Sequence, residues 1–228
     1  DKPDIIGNPN LEPEKAWGLD LGVDRYFEDG SGVMGVNFFA REFEDKFEDQ
    51  IDTNTTLGRA EQQKVNAGDA FLRGVEFDFR RNMRSFGWKN LELTGNFTFV
   101  DTELDADTGP DRPLEKTVEF FSDVGFEYTL PDWNGSFGAT WSYKGESDEA
   151  KVEGTETETK SKGATNNVDA FVRKQLDNGW MVTLAGQNLL ETELDEEKRK
   201  DKGGGDFELE DKTKSFSRTI KLSISGRF

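Results

Sequence analysis

The chain has 228 residues and a formal net charge of −18, with 29 Lys and Arg against 47 Asp and Glu. This charge argues against nucleic-acid binding, which needs cationic groups to displace the phosphate counterions. The absence of cysteine excludes disulfides and thiolate chemistry, and the absence of histidine removes His-ligated haem and zinc from this segment.

Hydropathy leaves both a water-soluble and a membrane protein open. Only 33% of the residues are hydrophobic, the mean hydropathy is −0.79, and no apolar run approaches the roughly 20 residues that a transmembrane helix needs. A membrane-spanning β-strand needs only every second residue to be apolar, so its mean hydropathy resembles that of a soluble protein. The 19 Phe residues fit either the aromatic girdles of a membrane barrel or the core of a β-sandwich.

Residues 1–13 are predicted to be an irregular approach segment, because Pro3, Gly7, Pro9 and Pro13 interrupt it. The segment lacks a charged region followed by an apolar one, so it is not a signal peptide. We therefore expect that a leader has been removed or that the chain begins partway through a longer protein.

From residue 17 onward, apolar residues recur at every second position in nine segments, which predicts nine strands. The first strand, 17–24, ends at a short turn, 28–32. The second, 33–43, has apolar residues in both phases, and the set Met34, Val36, Phe38 and Ala40 is the better apolar face. The remaining strands are predicted at about 71–80, 88–99, 118–128, 137–143, 167–176, 180–190 and within 213–228.

The connections between these strands alternate in length. The short turns are 28–32, 84–87, 131–135 and 177–179, and the long polar tracts are 44–68, 101–116, 144–164 and 191–214. The tract 144–164 is so charged that it is expected to be a long mobile loop. In an up-and-down antiparallel sheet all short turns then lie at one end, which is typical of outer-membrane barrels. Aromatic residues beside the short turns fit an interfacial belt: Phe27, Trp88, Trp133 and Trp180.

Four short motifs resemble those of TonB-dependent outer-membrane receptors and occur in that family's order. They are 8–14 (NPNLEPE) running into Ala16 and Trp17, 66–69 (NAGD) with 73–77 (RGVEF), 187–190 (QNLL), and 217–218 (SR) with 226–228 (GRF). Together they extend over nearly the whole chain. Glu191 and Gly226 depart from the pattern, since the family has Asp and an aromatic residue at these places.

The resemblance implies an all-β fold, an antiparallel up-and-down meander of about nine strands that is part of a large transmembrane β-barrel. Plugged outer-membrane transporters have about 22 strands, so residues 1–228 are interpreted as the C-terminal portion of the barrel. Nothing in the sequence resembles the plug domain or the first strands. The terminal Phe228 is interpreted as the signal for barrel assembly, although Gly226 weakens its aromatic face.

The resemblance also implies uptake of a scarce solute, most often a ferric siderophore and otherwise haem, cobalamin or a glycan, driven through TonB. The expected partners are outer-membrane lipid, the plug domain, the remaining barrel strands on the same or another chain, TonB and the barrel-assembly machinery. No cofactor is implied.

Strand periodicity and the resemblance together assign side chains to two faces. The lipid-facing candidates are Trp17, Leu19, Leu21, Val75, Phe77, Leu93, Phe97, Val124, Phe126, Trp141, Val182, Leu184, Ile220, Leu222 and Ile224. The lumen-facing candidates are Asp20, Asp24, Glu76, Asp78, Arg80, Glu92, Asp123, Glu127, Asp169, Arg173 and Arg227. These charged groups either form a solute pathway or pair with one another or with the plug.

Three other interpretations remain open at the level of sequence. A soluble or extracellular β-structural protein, such as an adhesin or an assembly subunit, would pack its aromatic face on another sheet or chain. A porin or a barrel enzyme such as a lipase would keep the membrane and change the activity. A calcium site is conceivable among the carboxylates of the last long tract, although they lack EF-hand spacing: Asp195, Glu196, Glu197, Glu208, Glu210 and Asp211. No nucleophile or phosphate-loop motif supports an enzyme.

Overall fold

The computed structural model describes residues 4–54, 59–107, 111–153, 156–201 and 207–226. These residues form sixteen strands and two short 3-10 turns, Met83–Phe86 and Pro131–Trp133. In chain order the strands are β1 (Asp4–Ile5), β2 (Lys15–Tyr26), β3 (Gly32–Glu44), β4 (Phe47–Asn54), β5 (Arg59–Asn66), β6 (Gly68–Asn82), β7 (Leu91–Ala106), β8 (Phe120–Leu130), β9 (Gly135–Lys144), β10 (Ser147–Glu153), β11 (Glu156–Lys162), β12 (Thr165–Gln175), β13 (Met181–Gln187), β14 (Glu193–Asp201), β15 (Phe207–Ser215) and β16 (Thr219–Ser225). Within the described ranges, no helix is both long enough and apolar enough to cross a membrane.

Nine strands form one sheet in the order β16-β13-β12-β9-β8-β7-β6-β3-β2, and every neighbouring pair is antiparallel. The predicted nine-stranded meander is therefore confirmed. Several boundaries differ from the prediction; β7 begins at Leu91, after Trp88, and β13 ends at Gln187, before Leu190. β7 continues to Ala106, into a tract predicted to be loop, because it stays paired with β6 up to Gly68. β8 begins at Phe120, so Val118 precedes the strand.

Short turns and long excursions alternate along this sheet, as predicted. Each tight turn contains a residue in the left-handed conformation, which Gly and Asn adopt with least strain. Gly30, Gly87, Asn134 and Gly179 have φ of 65°, 91°, 53° and 85°. Because the strands are antiparallel, these four turns share one end of the sheet, here named the short-turn end. The opposite end is named the long-loop end.

Strands occupy most of the described residues in three of the long polar tracts, 44–68, 144–164 and 191–214, so the expectation of a mobile loop at 144–164 is wrong for its described residues. β4 and β5 form a hairpin that continues the β3–β6 pairing, and β1 joins it in parallel. β10, β11, β14 and β15 form a four-stranded sheet from two separate tracts. These strands do not need an apolar face, because opposite charges meet across them; Lys198 lies 2.9 Å from Glu158.

The sheet has almost no hydrophobic core of its own. Among the described residues only Ala70 and Leu104 are buried hydrophobic side chains. β2 is exposed at all twelve positions, and β2 and β16 each pair with a single neighbour among the described strands. Among the described residues the sheet thus keeps two unpaired edges and an uncovered apolar face, which is expected of one part of a larger barrel.

Candidate functional site

The register places all fifteen lipid-facing candidates on one face of the nine-stranded sheet. Residues that pair directly across strands share a face, and one such line runs from Leu21 through Phe38 and Val75 to Phe99. The second strand follows the predicted phase, since Phe38 lies on this apolar face. Its members are widely exposed, with Leu222 at 65% and Trp17 at 61%. That this face contacts lipid stays a prediction.

Aromatic rings line the apolar face at both ends. At the long-loop end Phe120 stacks on Phe99 with ring centroids 4.6 Å apart and lies 5.7 Å from Tyr143. At the short-turn end the ammonium of Lys174 lies 5.1 Å from the Trp133 ring. Along β9, eight residues separate Gly135, which follows the Trp133 turn, from Tyr143, about 26 Å along the strand and about 20 Å along the axis of a barrel whose strands tilt by about 40°. This length is comparable with the apolar band of outer-membrane barrels, about 25 Å tall.

The other face carries the polar side chains and is named the polar face. Ten lumen-facing candidates lie on it: Asp20, Asp24, Glu76, Asp78, Arg80, Glu92, Asp123, Glu127, Asp169 and Arg173. Arg227, the eleventh, lies outside the described residues, as does Phe228. That this face lines a lumen stays a prediction.

Three ion pairs neutralise part of the polar face. Arg41 donates two hydrogen bonds to Asp20, at 2.9 and 2.8 Å. Arg80 donates to Glu92 at 2.9 Å. The Arg173 guanidinium contacts the Glu127 carboxylate and donates to the Ser136 hydroxyl at 2.7 Å. Two of these pairs, Arg80 with Glu92 and Arg173 with Glu127, join two lumen-facing candidates to each other.

Five carboxylates of the polar face have no ion-pair partner among the described residues: Asp24, Glu76, Asp78, Asp123 and Asp169. Neutral donors bind some of them; Asn96 donates to Glu76 at 2.5 Å. Asp24 and Asp78 approach each other over Gly35, where an added Cβ would lie 2.7 Å from an oxygen of each. The polar face consequently keeps an uncompensated negative charge.

The first motif segment is fixed to the base of the β4–β5 hairpin. Asn66 donates from its side-chain amide to the Glu12 carbonyl at 2.9 Å and accepts from the Glu12 N–H at 2.9 Å. Glu14 accepts from the Phe47 N–H at 2.9 Å and from the Lys46 ammonium at 3.0 Å. Burial alone raises the pKa of Glu14, but the Phe47 and Lys46 hydrogen bonds outweigh it and hold that pKa below its usual value.

The third motif contains a second fixed point, at Asn188. Its N–H donates to Asp169 at 2.8 Å, its side-chain amide donates to the Phe216 carbonyl at 2.6 Å, and its side-chain oxygen accepts from the Thr192 N–H at 3.0 Å. Asn188 has φ of 51°, a left-handed conformation that Asn tolerates. The Asn188 side chain thus joins the end of β13 to the residues before β14 and β16, and its backbone N–H joins the same point to β12.

The ring of Trp180 explains the departure at Gly226. An added Cβ at Gly226 would lie 2.7 Å from this ring. An aromatic group from the neighbouring hairpin therefore occupies the space beside Gly226, where the family carries an aromatic side chain.

Two of the carboxylates considered for calcium, Glu196 and Asp195, bind side chains of other residues. Glu196 is 7% exposed and lies between Lys214, at 2.7 Å, and Lys160, at 3.8 Å. The Lys214 hydrogen bond lowers the pKa of Glu196. Asp195 accepts from the Thr213 hydroxyl at 2.7 Å. Over the described ranges, no three or more carboxylates are grouped so as to hold a metal ion.

Sequence reasoning missed the partners of these groups. Arg41 was not assigned to the polar face, because β3 is apolar in both phases and Phe39 and Phe43 share that face with it. The strands in the charged tracts had a usable signal, since Thr157, Thr159 and Ser161 alternate with charged residues and Thr favours strands.

The comparisons with known proteins agree with this geometry. A family model described as "TonB dependent receptor-like, beta-barrel" matches residues 3–189. The match includes every strand from β1 to β13 and ends before β14. A search of curated proteins found no match.

Proposed function

The chain belongs to the TonB-dependent receptor-like β-barrel family, and we propose that it is the C-terminal wall of an outer-membrane transporter that takes up a ferric siderophore through TonB. The nine-stranded sheet is part of a large transmembrane β-barrel, and the family consists of transporters. Our proposal concerns the ferric siderophore as solute, the contacts with the plug and the supply of energy through TonB.

One observation supports this function above the others: the register separates an exposed apolar face from a charged face over all nine strands. A barrel wall between lipid and a lumen needs this separation on every strand. A soluble adhesin would bury its apolar face, and a porin has no need for the plug that the family carries. The transporter is therefore the interpretation that we favour.

We assign the short-turn end to the periplasm and the long-loop end to the outside, following the usual asymmetry of these barrels. The polar face then meets the plug, the edges of β2 and β16 meet the remaining strands, and Phe228 is the residue that the barrel-assembly machinery reads. TonB supplies the energy for uptake.

A growth and uptake experiment tests the proposal. The gene containing this chain is deleted from its bacterium, and uptake of radiolabelled iron supplied as different ferric chelates is measured under iron limitation. We expect loss of uptake of one chelate class, restoration by the complete gene, and no restoration in a strain that lacks TonB. Unchanged uptake of every chelate, or loss of cobalamin or glycan uptake instead, would contradict the siderophore assignment.

A further inference from the structure

The polar face carries a partly covered cavity at the long-loop end. Its volume is about 530 Å³, within the range typical of small-molecule sites. Polar-face residues of β7, β8, β9 and β12 form most of its floor, among them Phe121, Lys144 and Thr165, and Tyr143 also borders it. One side is closed by residues 116–118, here named the rim segment, which precede β8.

Contacts to β10 and β4 hold the rim segment and the residues just before it. The Lys116 N–H donates to the Asp148 carbonyl at 3.1 Å, and its ammonium lies 3.2 Å from Glu149 on β10. The Glu149 hydrogen bond raises the pKa of Lys116, so that this ammonium stays charged and engaged. Arg112 contacts Glu48 on β4. The cavity therefore has a defined wall.

The charges that line the cavity cancel. Lys116 is neutralised by Glu149. Lys144 has no ion-pair partner among the described residues, and Asp123, which accepts from the Ser142 hydroxyl, has none either. One cation and one anion are thus left for a ligand, so the cavity offers no net charge.

The surroundings are acidic. Beyond the cavity, the polar face keeps four further carboxylates without an ion-pair partner among the described residues: Asp24, Glu76, Asp78 and Asp169. The four long tracts, 44–68, 101–116, 144–164 and 191–214, together hold 28 acidic and 15 basic residues. An anionic solute would approach against this potential and would lose its hydration beside a single free ammonium. A neutral solute bears neither cost.

Neutral recognition groups are present at the cavity. Phe121 presents an aromatic surface that is 38% exposed. The Asn167 amide donates to Asp169 at 2.9 Å, which fixes its orientation because a carboxylate only accepts. The Asn167 carbonyl oxygen is then enclosed and has no donor among the described residues. A solute N–H or O–H that reaches past the rim segment would donate a hydrogen bond to this oxygen.

We infer that the cavity binds part of a neutral ferric chelate rich in hydrogen-bonding groups, of the ferric tris-hydroxamate class, in preference to an anionic ferric tris-catecholate. The inference rests on the proposed function and names the substrate class for it.

The test uses the complete receptor purified in detergent. Binding of a neutral ferric tris-hydroxamate and of an anionic ferric tris-catecholate is measured by titration calorimetry at two salt concentrations. The wild type is compared with Phe121→Ala and Thr165→Val, which remove cavity contacts. The matched controls are Phe171→Ala and Thr140→Val, on the same face but outside the cavity.

We expect the hydroxamate to bind more tightly, with little dependence on salt, and Phe121→Ala to weaken it by about tenfold. The control variants should bind as the wild type does and report correct folding. Tighter binding of the catecholate, or equal binding by cavity and control variants, overturns this inference and leaves the transporter in place. If no ferric chelate binds at all, the proposed function and the inference fail together.

Discussion

The side chain of Asn66 forms a reciprocal pair of hydrogen bonds with the backbone of Glu12, donating to its carbonyl and accepting from its N–H at 2.9 Å each. The two residues are 54 positions apart, so this pair fixes the segment before β2 against the β4–β5 hairpin. Asn66 also donates to the Asp45 carbonyl at 2.9 Å, at the bend between β3 and β4.

We predict that Asn66→Ala loosens this junction by about 1–3 kcal/mol, because the Glu12 and Asp45 backbone groups lose their partner. Limited proteolysis of the complete receptor should then cut the 44–68 hairpin faster. Asn10→Ala is the control, since Asn10 makes its hydrogen bond through its backbone N–H. Equal cleavage of the two variants would show that the pair does not hold the hairpin.

The junction should also respond to pH through Glu14, whose pKa is lowered in the folded protein. A carboxyl group with a lowered pKa stabilises the fold above its ordinary value, near pH 4, and loses this contribution as the pH falls through the folded value. We predict that Glu14→Gln melts at a lower temperature than the wild type at neutral pH.

The same difference should shrink and vanish under acidic conditions. Thermal melting monitored by circular dichroism from neutral to acidic pH checks this. Glu44→Gln is the control, because Glu44 is 55% exposed and its pair with Lys15 spans 3.4 Å. A gap between the wild type and Glu14→Gln that stays constant with pH would contradict the assignment.

The sequence predicts the two-faced sheet well, because a strand with one apolar and one polar face has apolar residues at every second position. Leu184 and Phe126 lie on the face to which alternation assigned them. The strands of the charged tracts leave no hydrophobic period; Glu158 and Lys198 meet through a pairing that joins two distant tracts. An ion pair between two strands can be recognised only once the register is known, whereas hydrophobic periodicity can be read from one strand alone.

In the candidate site, too, the face of a residue could be predicted from its own strand, but its partners could not. Asp20 could be assigned to the polar face from its own strand, whereas its partner Arg41 could not, because Phe39 two positions earlier obscures the phase of β3. The motif residues Asn66 and Asn188 stand out in the sequence, but their roles depend on backbone groups that the fold brings to them.

Asn188 offers a way to separate hydrogen bonding from backbone strain. Asn188→Gly keeps access to the left-handed conformation and loses the side-chain bonds to Phe216 and Thr192. Asn188→Ala loses the same bonds and adds roughly 1 kcal/mol of strain. We predict a lower melting temperature for both variants and the lower of the two for Ala. If Ala melts above Gly, the conformation of residue 188 is not limiting.

The face assignment itself is tested on β16, where adjacent residues point to opposite sides. Leu222 lies on the apolar face and Ser223 on the polar face. We predict that Leu222→Arg impairs insertion by about 2–4 kcal/mol near the bilayer midplane, because the guanidinium would enter hydrocarbon. Ser223→Arg places the same charge one residue away toward the lumen and should be tolerated. Phe126→Arg, on the apolar face of β8, should behave like Leu222→Arg.

The measurement is the amount of the complete receptor in purified outer membranes, together with its heat-modifiable mobility as a sign of a folded barrel. Both apolar-face variants should be depleted and Ser223→Arg should reach the wild-type amount. Wild-type amounts of Leu222→Arg and Phe126→Arg would show that the apolar face does not meet lipid, and depletion of Ser223→Arg alone would reverse the two faces. Because the three substitutions introduce the same side chain, a difference among them reports the environment of each position.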